Sequence, residues 1–132
     1  MSAFRPEDMT PAAALLGRRV LEVDPVTGRV RVGFTARPEF LNRHGTVQGG
    51  FLAAMLDSAT AIAALVTLPE GSTVVTTELL VRYVRPAAAG DVTAVGRLLE
   101  RSGRDARAEG ELVDASGQVV ARADATLRVI HR

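Results

Sequence analysis

Residues 41–59 read LNRHGTVQGGFLAAMLDSA. A loop broken by Asn42, Gly45 and the pair Gly49–Gly50 runs into a segment rich in Ala, Leu and Met, residues that lose little on becoming helical. The spacing predicts a helix over 49–66, closed shortly beyond by Pro69. This helix is apolar on most sides, which places it inside a fold rather than on a surface. One carboxylate, Asp57, interrupts it. An unpaired buried carboxylate costs several kcal/mol. Asp57 therefore needs a partner such as a neighbouring backbone group or an arginine, a wet subunit boundary, or a chemical use.

On either side of the helix the pattern changes. Thr10 followed by Pro11 is a helix start: a capping hydroxyl, then a proline whose missing N–H costs nothing in the first turn. PAAALLG at 11–17 reads as a short helix ending near Gly17, and residues 18–24 and 29–36 as a hairpin around DPVTG. RPEFLNRHGTV at 37–47 reads as a loop. From residue 72 the stretches TVVTTELLVRYV, DVTAVGRLLE, DARAEGELVD and QVVARADATLRVI read as four strands, parted by RPAAAG, RSG and ASG turns. In the last strand Val119, Ala121, Ala123, Ala125, Leu127 and Val129 alternate with Val120, Arg122, Asp124, Thr126 and Arg128, giving one buried face and one wet face. A long apolar helix embedded in a chain of antiparallel strands must be wrapped by their sheet, an α+β arrangement. Residues 1–132 form a single domain without repeat or linker, and 1–9 a flexible N-terminal segment.

Composition narrows the function. A chain of 132 residues, 47% hydrophobic and 23% charged, is of a size and balance to bury one core. Its net charge of +1 gives no general attraction to nucleic acid or to a membrane surface. All 16 basic side chains are Arg, and without cysteine neither a disulfide nor a thiolate metal site is possible. The N-terminus lacks the apolar core of a signal peptide, and the apolar run 51–66 is too short and too broken to span a bilayer. A cytoplasmic protein is expected. The histidines, His44 and His131, are too few for a His metal site and badly placed for a Ser–His–Asp triad.

The Gly-Gly pair has a bland reading, a tight turn into the helix, and a functional one. The first N–H groups of a helix have no internal acceptor and sit at the positive end of its dipole. Without a side chain at Gly49, a ligand carbonyl can come close to them, and such a site stabilises an oxyanion developing on an acyl carbon. Gly49 and Asp57 are eight residues apart, roughly 12 Å along a helix, too far to touch one ester or thioester carbon. Two such helices packed antiparallel bring the Gly end of one near the Asp of the other. The expectation is a two-fold dimer with two shared sites.

NRHGTVQGGFLAAMLDSATAIAA resembles the hotdog-fold acyl-CoA thioesterases of the phenylacetate-pathway (PaaI-like) type, whose pattern is an Asn, then G-x-V-H-G-G, then an Asp or Glu in the helix. Asn42, Gly45, Val47, Gly49, Gly50 and Asp57 fall in register with it. TTELLVRYVRPAAAGD is similar to the family's T-x-E-L-x-V-x-Y-x-R-P-A strand, and the likeness extends over about residues 15–129. The motif histidine is Gln48 here; in the family that histidine supports the loop, and Gln can still donate and accept hydrogen bonds.

The resemblance implies a hotdog fold, an antiparallel sheet wrapped around a long central helix, and hydrolysis of an acyl- or aroyl-CoA thioester with no cofactor beyond the CoA of the substrate. It implies that Gly49 N–H polarises the thioester carbonyl, with Gln48 and Gly50 beside it. Asn42 would help to hold that carbonyl or the attacking water, and Asp57 of the other subunit would activate the water or attack directly. Thr76 matches the hydroxyl residue that positions the water; Thr77 takes its place if the strand register shifts by one. Arg85, Arg101 and Arg104 are candidates for CoA phosphates. A homodimer, paired into a dimer of dimers, completes the picture. Two alternatives on the same fold are a non-catalytic acyl-CoA-binding module, which would not need Asp57, and a hydratase, which would need a catalytic His that nothing here supplies.

Overall fold

A computed structural model describes residues 2–131. A short helix α1 (Pro11–Leu15) is capped by the Thr10 hydroxyl, which accepts from Ala13 N at 3.1 Å. It stops before the expected end, and Gly17 turns the chain out at φ 62°. The hairpin follows as β1 (Arg19–Asp24) and β2 (Arg29–Ala36), then α2 (Gly49–Leu65), β3 (Ser72–Tyr83) and the meander β4 (Gly90–Ser102), β5 (Asp105–Asp114) and β6 (Val119–His131). All six strands join one antiparallel sheet in the order β1-β2-β4-β5-β6-β3, so β3 lies at an edge. α2 packs on one face of this sheet, the arrangement expected of the hotdog fold.

The helix comes very close to the sheet. One row across the strands reads Val30, Gly96, Gly110, Ala123, Val81. A Cβ at Gly96 would lie 2.7 Å from the Ala59 carbonyl oxygen, and one at Gly110 would lie 3.2 Å from Leu56 Cδ2 and Thr60 Cγ2. These glycines admit the helix backbone itself. Around this contact Met55, Leu56 and Ala59 are completely buried with Phe34, Ala94 and Leu112.

The side of α2 away from the sheet stays open. Gly50 and Ala54 are exposed, and Ala53, Asp57, Ser58 and Ala61 are half-buried. The other face of the sheet is charged, with pairs such as Arg82–Asp124 at 2.9 Å, Arg122–Glu111 at 3.0 Å, and Arg97–Glu109.

Two local expectations change. Val120, assigned to the wet face of β6, is fully buried beside Ala121. The β5–β6 register slips between Leu112 and Val113, and Val120 falls in the bulge, so two successive residues turn inward. The loop 37–47 holds a single 3-10 turn, Pro38–Phe40, and a bridge between Leu41 and Val47. In the N-terminal segment Ala3 N donates to Leu68 O at 2.9 Å, Arg5 pairs with Glu70 at 2.6 Å, and Phe4 packs on the core beneath Arg18. No helix among the described residues is long and apolar enough to cross a membrane.

The packing of α2 generates a stability test. Gly96→Ala places a methyl group against backbone, which cannot rotate away, and is expected to destabilise by about 1–3 kcal/mol. Gly110→Ala meets the ends of mobile side chains and should cost less. Denaturant unfolding of both variants checks the order.

Candidate active site

Asp57 sits in the third turn of α2, on its open side. Its Oδ1 accepts a hydrogen bond from the Thr76 hydroxyl at 2.8 Å. Among the described residues no arginine pairs with it, which disposes of the ion-pair explanation. Its place follows from the sheet order: β3 is an edge strand, so nothing in the chain covers the gap between β3 and this side of the helix. A cleft of about 390 Å³ opens there, lined by Gly50, Ala53, Ala54, Asp57, Thr76, Thr77, Glu78 and Leu79.

The choice between Thr76 and Thr77 is made by a bulge. The β3–β6 register slips between Thr76 and Glu78, leaving Thr77 unpaired. Thr76 opposes the buried Leu127 and turns toward the helix, whereas the Thr77 hydroxyl donates to the Thr126 carbonyl at 3.1 Å.

The head of α2 is braced by the loop before it. Gln48 N donates to Phe40 O at 2.9 Å, Val47 N donates to Ala87 O at 2.8 Å, and the rings of Phe40 and Phe51 stack with centroids 4.1 Å apart. Asn42 works inside this loop. Its Oδ1 accepts from His44 N at 2.9 Å and Thr46 N at 3.3 Å, and its Nδ2 donates to Thr46 Oγ1 at 3.1 Å. In this single subunit Asn42 thus shapes an Asx turn, and its amide is engaged by its own loop. Gln48 occupies the cap position, but its side chain is exposed and makes no capping bond.

Gly49 opens into a second cleft, of about 360 Å³, lined by Thr46, Val47, Leu52, Tyr83, Val84, Arg85, Pro86 and Ala87. No residue lines both clefts. Within one subunit, then, the Gly49 and Asp57 sites face different spaces, in keeping with their separation along the helix. Gly50 goes with Asp57.

The arginines divide. Arg85 borders the Gly49 cleft and donates to Val119 O at 2.9 Å. It also adds to the depression of the nearby Asp114 carboxyl, which is set first by the hydrogen bond from the Ser116 hydroxyl. Arg101 and Arg104 flank Gly103 at the β4–β5 turn, exposed, and border neither cleft. No group of His, Asp and Glu among the described residues could hold a metal ion. Tyr83, the only tyrosine of the chain, is a site neighbour that pattern reading passed over. Its signal was its place as the Y of the strand motif T-x-E-L-x-V-x-Y, to which no role was attached because Tyr83 meets the Gly-Gly turn only after folding.

Several known proteins share this architecture. A phenylacetic acid degradation-related protein of Ralstonia eutropha JMP134, named as a proposed thioesterase, is 38% identical and superposes with a TM-score of 0.87 over 92% of both chains. The PaaI protein of E. coli, from the phenylacetic acid degradation operon, has a TM-score of 0.83 over 92% of this chain and 85% of its own; at 24% identity it speaks for the fold alone. A Saccharolobus solfataricus protein whose name proposes an esterase is 31% identical over 96 residues, 73% of this chain and 68% of that one. The thioesterase superfamily pattern matches residues 44–121, from the loop before α2 through most of the sheet and including Gly49, Asp57 and Thr76. The chain belongs to the thioesterase superfamily and is a thioester hydrolase.

Proposed function

We propose that the chain hydrolyses the thioester of an acyl- or aroyl-CoA to the free acid and CoA, at two equivalent sites shared across a homodimer. The observation that carries this reading is Asp57, a carboxylate on the open side of an otherwise apolar helix, held by Thr76 and facing a cleft. A stability role would favour an apolar residue there. A carboxylate next to a space large enough for a reacting group is suited to acid–base or nucleophilic work.

In the general-base route, Asp57 accepts a proton from water while the water oxygen attacks the thioester carbon. The oxyanion forms against the N–H of Gly49 at the positive end of α2. The C–S bond then breaks and the thiolate leaves, taking up a proton. In the nucleophilic route the carboxylate itself attacks, and water later hydrolyses the mixed anhydride. Thr76 serves both by fixing one carboxylate oxygen. Arg85, which borders the Gly49 cleft, is the candidate for a phosphate of CoA.

The dimer rests on β3. This 12-residue strand pairs only with β6 and presents Val75, Leu80 and Tyr83 to solvent, with exposures of 46%, 55% and 54%. A long edge with apolar side chains invites a second copy. Two-fold pairing with antiparallel α2 helices brings Gly49 of one subunit toward Asp57 of the other. A dimer of dimers is the further assembly we propose.

Four measurements test this reading. Asp57→Asn keeps size and a hydrogen-bonding group but removes the charge. It is expected to lower kcat by roughly 10²–10⁴ with acyl-CoA binding retained; unchanged turnover across a panel of acyl- and aroyl-CoA esters would sink the mechanism. A protein that binds the esters without ever releasing thiol would be the binding module instead. Thr76→Val should lower kcat by roughly 10- to 100-fold, the worth of a hydrogen bond to a charged group, and Thr76→Ser should restore most of it. Light scattering should give a dimer or tetramer, and a fully active monomer would refute sharing. Finally, Asp57→Asn subunits mixed with Gly49→Val subunits form one site with both lesions and one with neither. Activity per mixed dimer should approach half that of the unmodified dimer if the sites act independently, and no recovery despite subunit exchange would separate Gly49 from Asp57.

A further inference from the structure

Gly49 is crowded by one side chain. A Cβ built there would lie 3.0 Å from Cζ of Tyr83 and 3.1 Å from its Cε1 and Oη. At Gly50 the same construction meets nothing within 4 Å. The Tyr83 hydroxyl also donates to the Gly49 carbonyl at 2.9 Å. Ring and hydroxyl together grip the first turn of α2. This is not core packing, because Tyr83 is 54% exposed.

The gripped carbonyl matters through the peptide it belongs to. The Gly49 carbonyl and the Gly50 N–H are two ends of one planar unit. A hydrogen bond to the carbonyl sets the direction of that plane and polarises its N–H. The Gly50 N–H is one of the groups that find no acceptor inside the helix, and Gly50 lines the Asp57 cleft. The ring against Gly49 Cα restrains the preceding N–H as well.

We propose that Tyr83 is a positioning residue for the oxyanion donors at the head of α2. It aims the N–H groups of Gly49 and Gly50 through its bond to the Gly49 carbonyl, and residue 49 is glycine because the tyrosine ring occupies the space of a side chain. Access for a ligand, the reason read from the sequence, is thereby joined by a contact within the chain. The inference rests on the thioester-hydrolysis reading of Asp57 and Gly49.

Tyr83→Phe keeps the ring and removes only the hydrogen bond. Turnover of the best acyl-CoA substrate should fall about five- to ten-fold in kcat with KM nearly unchanged. The melting temperature should hardly move, since the ring and its packing are kept. Amide exchange at Gly50, followed by NMR, should quicken. A mere strut between strand and helix would lower the melting temperature and leave kcat alone.

Gly49→Ala supplies the second arm. Next to Tyr83 its methyl group displaces the ring as well as narrowing ligand access, and kcat should drop by at least about ten-fold; in a Tyr83→Ala background only the narrowed access remains, and the further loss on adding the methyl group should be several-fold smaller. Unchanged kcat and exchange in Tyr83→Phe, or equal effects of Gly49→Ala in both backgrounds, would overturn the proposal. Asp57→Asn run in parallel separates the two levels. If it is inactive while Tyr83→Phe is normal, only the role of Tyr83 falls. If it keeps full turnover, the site reading falls and takes this inference with it.

Discussion

The close approach of α2 to its sheet is the constraint on which the rest depends. A helix can lie this near a sheet only where side chains are absent, and Gly96 and Gly110 supply that gap beside Ala59, Leu56 and Thr60. With the helix seated there, its sequence is sorted into faces. Met55, Leu56, Ala59 and Ala63 become core, while Gly50, Ala54 and Asp57 are left toward the open side. Thr60, fully buried, spends its hydroxyl on the Leu56 and Asp57 carbonyls at 2.9 and 3.1 Å, so a polar group passes through the core without being stranded.

The placement of the carboxylate follows from strand order rather than from the helix. Because β3 is an edge strand, the helix side facing it has one wall instead of two. A carboxylate there keeps contact with solvent and is spared the full cost of burial. Thr76 then holds it from the strand side, and the bulge at Thr77 is what points that hydroxyl inward. The place of the carboxylate, the hydroxyl that holds it and the open edge are thus consequences of one topological fact.

The abundance of arginine has a quieter explanation than phosphate binding. Among the described residues nine arginines are in surface ion pairs, several of them across neighbouring strands of the outer sheet face. Each such exposed pair contributes at most about 1 kcal/mol. Their combined effect is to keep the outer face wet and free of apolar patches. Of the two edge strands, both with exposed apolar side chains, β3 is the longer, 12 residues against the six of β1 with its Leu21 and Val23.

Much was legible in the chain itself. The change from helical to alternating pattern marked α2 and the four strands after it, and the isolated Asp57 and Gly49–Gly50 pair marked the candidate site, because a charge in an apolar helix and a side-chain-free helix start are local anomalies. Val120 was misplaced since a bulge depends on the partner strand. That the Asn42 amide is engaged by its own loop within one subunit was hidden, because a residue type does not say which way its amide turns. Arg101 and Arg104 could not be told from Arg85 before the sheet set one beside a cleft and the others at a distant turn. Tyr83 gained its meaning only when β3 came to lie against the head of α2, 34 residues away in sequence. Periodicity and side-chain chemistry are properties of neighbours along the chain, and they determined the elements and the reactive residues. Register, edge position and the contact between strand end and helix start arise between distant segments, so only the tertiary structure decided which of those residues share a site.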